Sequence, residues 1–598
     1  MRLLRALPKR LTLPTLGRWV ALSALVGVVA GAGAIVFYYA TNYAGAFFLR
    51  DLAGYVPPEE GVAHGPRVDS LAMSFRWFLA FIPALGGLVS GWLVYTFAPE
   101  AEGHGTDGAI DAFHNKGGLI RARVPIVKTL ASAATIGTGG SAGREGPIAQ
   151  IGAGFGSFLA TRLGLTPADR RVLLVAGMAG GIGATFRAPL GGALFAVEVL
   201  YQNPEFEHEG LIPAIISSIV AYSLFGAVTG WEPLLQTPRF RFTYPPELLV
   251  FLGLAVACAL LGMVYVRVFY ATRDLFHRVP VPAMWKPVIG GLALGALALA
   301  VPQVLGSGYG WIQAALRGHM ALWVMLVVCL AKVVATSLTI SSGGSGGVFA
   351  PSLVIGAMLG GAFGATADAL FPALVQDPRA YVLVGMAGFF AGVSNTPVAT
   401  LIMVSELTGD YGLLAPLMLV SVVAMLTARA TTIYEKQVPG RVDSPAHLGD
   451  LVVDVLEGIR VRDLGEQGRP PTLVAEDMPL PRILECIAAA DTAYYPVVDR
   501  QGRMTGIFSV NDIRRILNED LPPNLVIARD IAVPRVVTAT PDEPLSQVLR
   551  KLSSRGLEEI PVVDPDDPGR VLYMLSRRSV LARYTRELEH RKGLYAEV

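Results

Sequence analysis

The sequence predicts an all-α polytopic membrane domain with broken and re-entrant helices, followed by a smaller α+β soluble domain. Three observations lead there. The chain of 598 residues is 53% hydrophobic and only 16% charged, whereas a soluble protein carries roughly a quarter charged residues. The charges are segregated: Trp19 to Arg429 is mostly long apolar runs, and the chain after Pro439 has an ordinary soluble composition. The apolar part also repeats itself, and the repeated segments are rich in Gly and Pro.

The basic N-terminus leads into an apolar run, "VALSALVGVVAGAGAIVFYYA". A signal peptide would look similar, but the run is long enough to span at about 20 residues and further runs follow. It therefore reads as a first transmembrane helix with its basic flank in the cytoplasm, in a plasma (inner) membrane. Later apolar runs fall near 72–98, 124–142, 148–164, 172–202, 211–230, 247–272, 285–304, 322–342, 346–370 and 379–434. Several are too short to cross or contain Gly and Pro clusters. Irregular backbone at membrane depth is tolerated only where it is buried in protein or lines a cavity, which suggests a transport pathway.

The two halves align without a gap. "KTLASAATIGTGGSAGREGPIAQIGA" from Lys128 matches "KVVATSLTISSGGSGGVFAPSLVIGA" from Lys332, and "GMAGGIGATFRAPLGGALFAVE" from Gly177 matches "GMAGFFAGVSNTPVATLIMVSE" from Gly385. Two blocks in the same order are not explained by a shared Gly/Ala-rich composition. The predicted layout is a cytoplasmic segment 1–17, a membrane domain 18–436 with halves of about 18–230 and 247–436, a linker 437–458, and a tail 459–598 in two units of about 459–520 and 528–590. Corresponding Gly/Pro-interrupted segments point to a binding site between the halves.

In both halves a Gly-Gly-Ser turn leads to a proline and an apolar helical run, so Gly143–Pro147 and Gly346–Pro351 read as helix starts. A helix N-terminus carries unpaired N–H groups and partial positive charge. Two of them converging at mid-membrane make an anion site that holds its ion without trapping it. Glu145 is itself an anion at such a start. It can occupy the place of a halide and give it up on protonation; otherwise it is a capping acid or a structural partner of Arg144. Arg144 reads equally as electrostatic lining or as that partner. Divalent cations take oxygen ligands, and the repeated sites lack the acidic clusters a magnesium-type transporter would need. No nucleophile–base or metal constellation suggests an enzyme. The three cysteines lack metal or disulfide spacing, and a net charge of +2 argues against a nucleic-acid partner.

These residues resemble the CLC chloride channel and transporter family: "GREGP" at Gly143–Pro147, "GGVFAP" at Gly346–Pro351, "SELTGD" at Ser405–Asp410, and the late tyrosine Tyr434 in "TIYEKQ". The resemblance implies inverted repeats, a homodimer with one pore per subunit, and Glu145 as the extracellular gate. It also implies an anion held by backbone at Gly143, Arg144, Gly146, Val348, Phe349 and Ala350, with the Tyr434 hydroxyl. Two departures matter. The family's first anion-binding helix usually begins Gly-Ser-Gly-Ile-Pro, and the matching "GHGTD" puts His104 and Asp107 at the serine and proline positions. His104 then donates to the anion, or Gly105 backbone and Thr106 do. Secondly, Val199 stands where proton-coupled members carry an intracellular glutamate. That favours a gated (voltage-gated type) chloride channel, with chloride/proton exchange as the alternative.

The tail resembles a tandem CBS pair. "YYPVVDRQGRMTGIFSVNDIRRIL" is similar to "IPVVDPDDPGRVLYMLSRRSVLARY", each preceded by an amphipathic helix. In that family a Ser/Thr-x-x-Asp after the last strand can hold a nucleotide ribose. Ser509 and Asp512 fit it; the second unit has Ser576 and Ser579 instead. The readings here are an adenine nucleotide or a purely structural pair. No cofactor is required for transport. The tail is expected in the cytoplasm.

Overall fold

The computed structural model describes residues 15–56, 58, 77–447, 456, 458–467, 470–490, 492–517, 522 and 525–596. The basic N-terminal stretch and residues 448–455 of the expected linker lie outside them. The chain divides into two compact units, Met1–Ala446 and His447–Val598.

Among the described residues the first unit is built of sixteen α-helices, eight per half. The first half runs α1 (Thr15–Gly45), α2 (Phe78–Phe97), α3 (Thr106–Asn115), α4 (Arg123–Gly137), α5 (Glu145–Arg162), α6 (Pro167–Phe186), α7 (Pro189–Glu198) and α8 (His208–Thr229). The second runs α9 (Leu248–Arg278), α10 (Lys286–Ala300), α11 (Tyr309–Leu316), α12 (Leu322–Ile340), α13 (Phe349–Leu370), α14 (Ala380–Ser394), α15 (Pro397–Thr408) and α16 (Leu414–Ala428). Seven of the described helices are long and apolar enough to cross a membrane.

Each packing within one half recurs in the other: α5 on α6 as α13 on α14, α6 on α8 as α14 on α16, α1 on α8 as α9 on α16. The halves meet through equivalent helices, α2 with α10 and α7 with α15. The repeated Gly-x-x-Gly blocks explain the closest crossing. A Cβ at Gly152 or Gly177 would run into the other's backbone, and Gly356 and Gly385 form the same crossing between α13 and α14. Short breaks also repeat. Arg187 closes α6 at φ 55° and Asn395 closes α14 at φ 58°, and a proline starts the next helix two residues on, at Pro189 and Pro397. Such left-handed backbone suits Asn but is uncommon for arginine.

The two Gly-rich loops fix the relation between the halves. Gly143 N–H donates to Gly347 O at 2.7 Å, and Gly347 N–H returns the bond to Gly143 O at 2.8 Å, in an antiparallel bridge. Gly143 and Gly347 are equivalent positions, so the pseudo-twofold axis passes between them. Equivalent chains run oppositely there. The helices that follow, α5 and α13, depart in opposite directions, as in inverted repeats.

The second unit contains two strand–helix modules. Strands β1 (Val474–Ala475), β2 (Tyr494–Val498) and β3 (Met504–Ser509) form one sheet, with β1 parallel and β3 antiparallel to β2. Strands β4 (Glu559–Val563) and β5 (Val571–Ser576) form an antiparallel pair. The first module buries Val474, Ile483, Tyr495 and Phe508; the second buries Leu545, Val548, Ile560 and Val562.

Candidate anion site

The site is built where four chain segments meet. Helix α5 starts at Glu145 and α13 at Phe349, and neither start is capped by a side chain. The first closing hydrogen bonds run from Ile148 N–H to Arg144 O and from Ser352 N–H to Val348 O. The amides before them have no intrahelical acceptor. A Cβ at Gly143 would collide with a carboxylate oxygen of Glu145 and lie 3.0 Å from the Ala350 nitrogen. The Glu145 carboxylate is therefore lodged between the two helix starts, in the place the sequence assigns to an anion. Gly146 is packed so closely that a Cβ there would meet the His104 carbonyl and lie 3.0 Å from the Gly347 Cα.

The start of α3 forms the third wall and Tyr434 the fourth. The His104 and Tyr434 ring centroids are 5.4 Å apart, and the Thr106 side chain meets the Tyr434 hydroxyl. Phe195 packs edge-on to Tyr434, and Phe349 lies among Phe186, Phe195 and Phe390. Residues from position 104 to 434 thus gather at one place. His104 has a more specific placement: its Nε2 lies 3.2 Å from Asp107 Oδ2, so this nitrogen is directed at Asp107. Arg144 sets its guanidinium 5.2 Å from the Tyr38 ring centroid. It borders a cavity of about 440 Å³ and a second of about 30 Å³ whose wall includes Glu145, Thr185 and Arg187. Tyr38, Arg144 and Tyr309 line both cavities, and Glu145 lines the smaller one.

Two features escape the motif reading. The buried Lys128 Nζ holds Ala101 O at 3.0 Å and Gly103 O at 2.7 Å, and Lys332 Nζ holds Val304 O at 2.8 Å and Gly306 O at 2.7 Å. These clamps shape the turns that begin α3 and α11. Tyr309, the first residue of α11, donates from its hydroxyl to Glu145 Oε1 at 2.7 Å. The signal for Tyr309 is present in the sequence: Gly306-Ser307-Gly308-Tyr309 echoes Gly103-His104-Gly105-Thr106.

Val199 is fully buried at the end of α7, and its carbonyl accepts from Gln437 Nε2 at 3.0 Å. In the tail, the Ser509 hydroxyl donates to Asp512 Oδ2 at 2.7 Å, and the Ser509 N–H reaches the same oxygen at 2.9 Å. The two side chains jointly cap the helix Val510–Leu517. Among the described residues no group of His, Cys, Asp and Glu has the arrangement to hold a metal ion.

Fold and site together define a polytopic membrane protein of two inverted halves, whose helix starts converge on one buried carboxylate. The chain belongs to the CLC family: the voltage gated chloride channel model matches residues 86–429, and the CBS domain model matches 461–519 and 528–586. It is 30% identical over 419 residues to the H(+)/Cl(-) exchange transporter ClcA of Vibrio parahaemolyticus, covering 68% of this chain and 86% of that one. It is 33% identical over 361 residues to ClcA of Vibrio campbellii, covering 59% and 77%. Among solved structures it shares its fold with a slow cyanobacterial Cl-/H+ antiporter (TM-score 0.62, 23% identity, 69% of this chain and 94% of that one). A eukaryotic CLC transporter covers 94% of this chain and 98% of its own (TM-score 0.57, 20% identity).

Proposed function

We propose that this protein moves chloride across a membrane in exchange for protons, with Glu145 as both gate and proton carrier. The carrying observation is the Glu145 carboxylate lodged between the starts of α5 and α13. An ionised carboxylate there competes with the transported anion for the same backbone amides. A protonated one releases them. The exchange reading is supported by relatives that are themselves named H(+)/Cl(-) exchange transporters, and it replaces the channel that the sequence alone favours. Val199 supports the gated channel as the second reading, since a buried valine cannot pass a proton.

The protein would act as a homodimer in the plasma (inner) membrane. The basic N-terminal flank supports a cytoplasmic N-terminus and, with it, a cytoplasmic tail. The Ser509–Asp512 pair remains the position where an adenine nucleotide would be held; titrating the full-length protein with ATP, ADP and AMP tests it.

The deciding experiment is reconstitution in liposomes under a chloride gradient, with chloride and proton movements recorded together. Exchange predicts proton movement driven uphill by chloride, lost in Glu145→Gln while chloride still moves. Chloride flux without uphill proton movement in the wild type assigns the channel. No chloride flux overturns both readings.

A further inference from the structure

Tyr309 is buried, and its hydroxyl gives a 2.7 Å hydrogen bond to the equally buried Glu145 carboxylate. The tyrosine is held from several directions. It is the first residue of α11, entered through Gly308 at φ +89°, and the turn before it is clamped by Lys332 on Gly306 O. A Cβ at Gly308 would come within 2.8 Å of Val354, so this turn cannot drift toward α13. The pseudo-twofold gives the arrangement a counterpart. Thr106 opens α3 as Tyr309 opens α11, and the Thr106 side chain meets the Tyr434 hydroxyl. Each short helix thus sends its first side chain to one wall of the anion site.

We propose that Tyr309 is a latch: its hydroxyl holds the ionised Glu145 carboxylate in the pathway and sets the pH at which the gate opens. This rests on the function proposed above. A hydroxyl donor stabilises a carboxylate more than the neutral acid, so it favours the seated, blocking form. The other groups facing Glu145 are Arg144, Arg187 and Tyr38 around the small cavity and Tyr434 on the inner side, with the His104–Asp107 pair beyond it. All of them stay in place when only the Tyr309 hydroxyl is removed, so Tyr309→Phe isolates the latch.

The test is chloride efflux from liposomes across a pH series for four proteins: wild type, Tyr309→Phe, Glu145→Ala and the double variant. Without the hydroxyl the gate takes up its proton more readily. The midpoint of activation in Tyr309→Phe then moves to higher pH by about one to two units. Glu145→Ala transports independently of pH, and adding Tyr309→Phe to it changes nothing. If Tyr309→Phe follows the wild-type profile while Glu145→Ala loses its pH dependence, the latch is overturned and the gate stands. If Glu145→Ala keeps the wild-type pH dependence, the gate itself fails and the latch with it. Should Tyr309→Phe not fold, a monofluorotyrosine at position 309, a stronger donor of nearly the same shape, must move the midpoint to lower pH; an unmoved midpoint overturns the latch.

Discussion

Glu198 and Glu406 cap each other's helices across the pseudo-twofold axis. Glu198, at the end of α7, accepts from Val398 N–H at 3.2 Å and Ala399 N–H at 2.7 Å at the start of α15. Glu406, near the end of α15, accepts from Leu190 N–H at 3.2 Å and Gly191 N–H at 2.7 Å at the start of α7. Each carboxylate meets the positive end of the other helix and satisfies amides that have no intrahelical partner. Glu198 sits beside Val199, and its oxygens are committed to α15.

The first prediction follows from that commitment. Glu198→Gln keeps one oxygen to accept from these amides while its NH2 takes the place of the other, so chloride flux and any proton movement stay near wild type. Glu198→Ala leaves the start of α15 uncapped and lowers stability by about 1 kcal/mol, read as a lower thermal midpoint in detergent. A loss of proton movement in Glu198→Gln, with chloride flux intact, would instead make Glu198 a proton carrier.

Lys128 and Lys332 each bind two loop carbonyls in the protein interior. Lys128→Met fills similar space but leaves Ala101 O and Gly103 O without this donor. Each such buried acceptor costs about 1–3 kcal/mol. The variant is expected to unfold at clearly lower temperature and to transport chloride more slowly, because Gly103 leads directly into His104–Thr106. Lys332→Met is expected to cost similar stability and to disturb Tyr309. Thermal unfolding of both variants alongside their chloride efflux checks this.

Much of this site is legible in the sequence because its chemistry is carried by backbone. Gly-Gly-Ser turns, first-turn prolines and an ungapped repeat identify the starts of α5 and α13 within the chain. Helices α3 and α11 are less legible: each is short and follows an irregular turn, so no apolar run announces it. Tyr309 is hidden for a different reason. Its partner Glu145 lies in the other half of the chain, and only the pseudo-twofold brings α11 over the start of α5. His104 shows the limit of motif transfer, since the residue at the serine position carries its own partner, Asp107.

In the tail, Arg503 Nη2 lies 2.7 Å from Asp567 Oδ1, linking the two strand–helix modules next to the Met504 N–H to Gly569 O bond of 2.7 Å. The hydrogen bond from Arg503 holds the Asp567 carboxyl below its ordinary value of 3.8. A carboxyl depressed in the folded state adds stability that is present above that ordinary value and disappears as pH falls through the lower, folded-state one. Both side chains are solvent-exposed, so the effect is local and salt-sensitive. Hydrogen exchange at the Met504 amide, corrected for its intrinsic pH dependence, is expected to lose protection as the solution is acidified below pH 3.8. Asp567→Asn should lack that acid-dependent step.

His104→Ser tests what the histidine contributes to anion choice. The His104 ring is packed against Tyr434, with Nε2 at Asp107, and Asp107 Oδ1 in turn accepts from Lys436 N–H at 3.2 Å. The histidine therefore braces the start of α3 against the segment that carries Tyr434. Serine removes that brace and places a hydroxyl at the start of α3, as in the motif the chain resembles. A hydrogen bond to an ionic partner contributes about 1.5–3 kcal/mol, and about 1.4 kcal/mol corresponds to tenfold in affinity. His104→Ser is accordingly expected to shift the chloride-over-nitrate ratio toward chloride by about tenfold, measured as competing anion efflux from the same liposomes. An unchanged ratio would mean that the α3 backbone and Thr106, rather than the residue at position 104, set the anion preference.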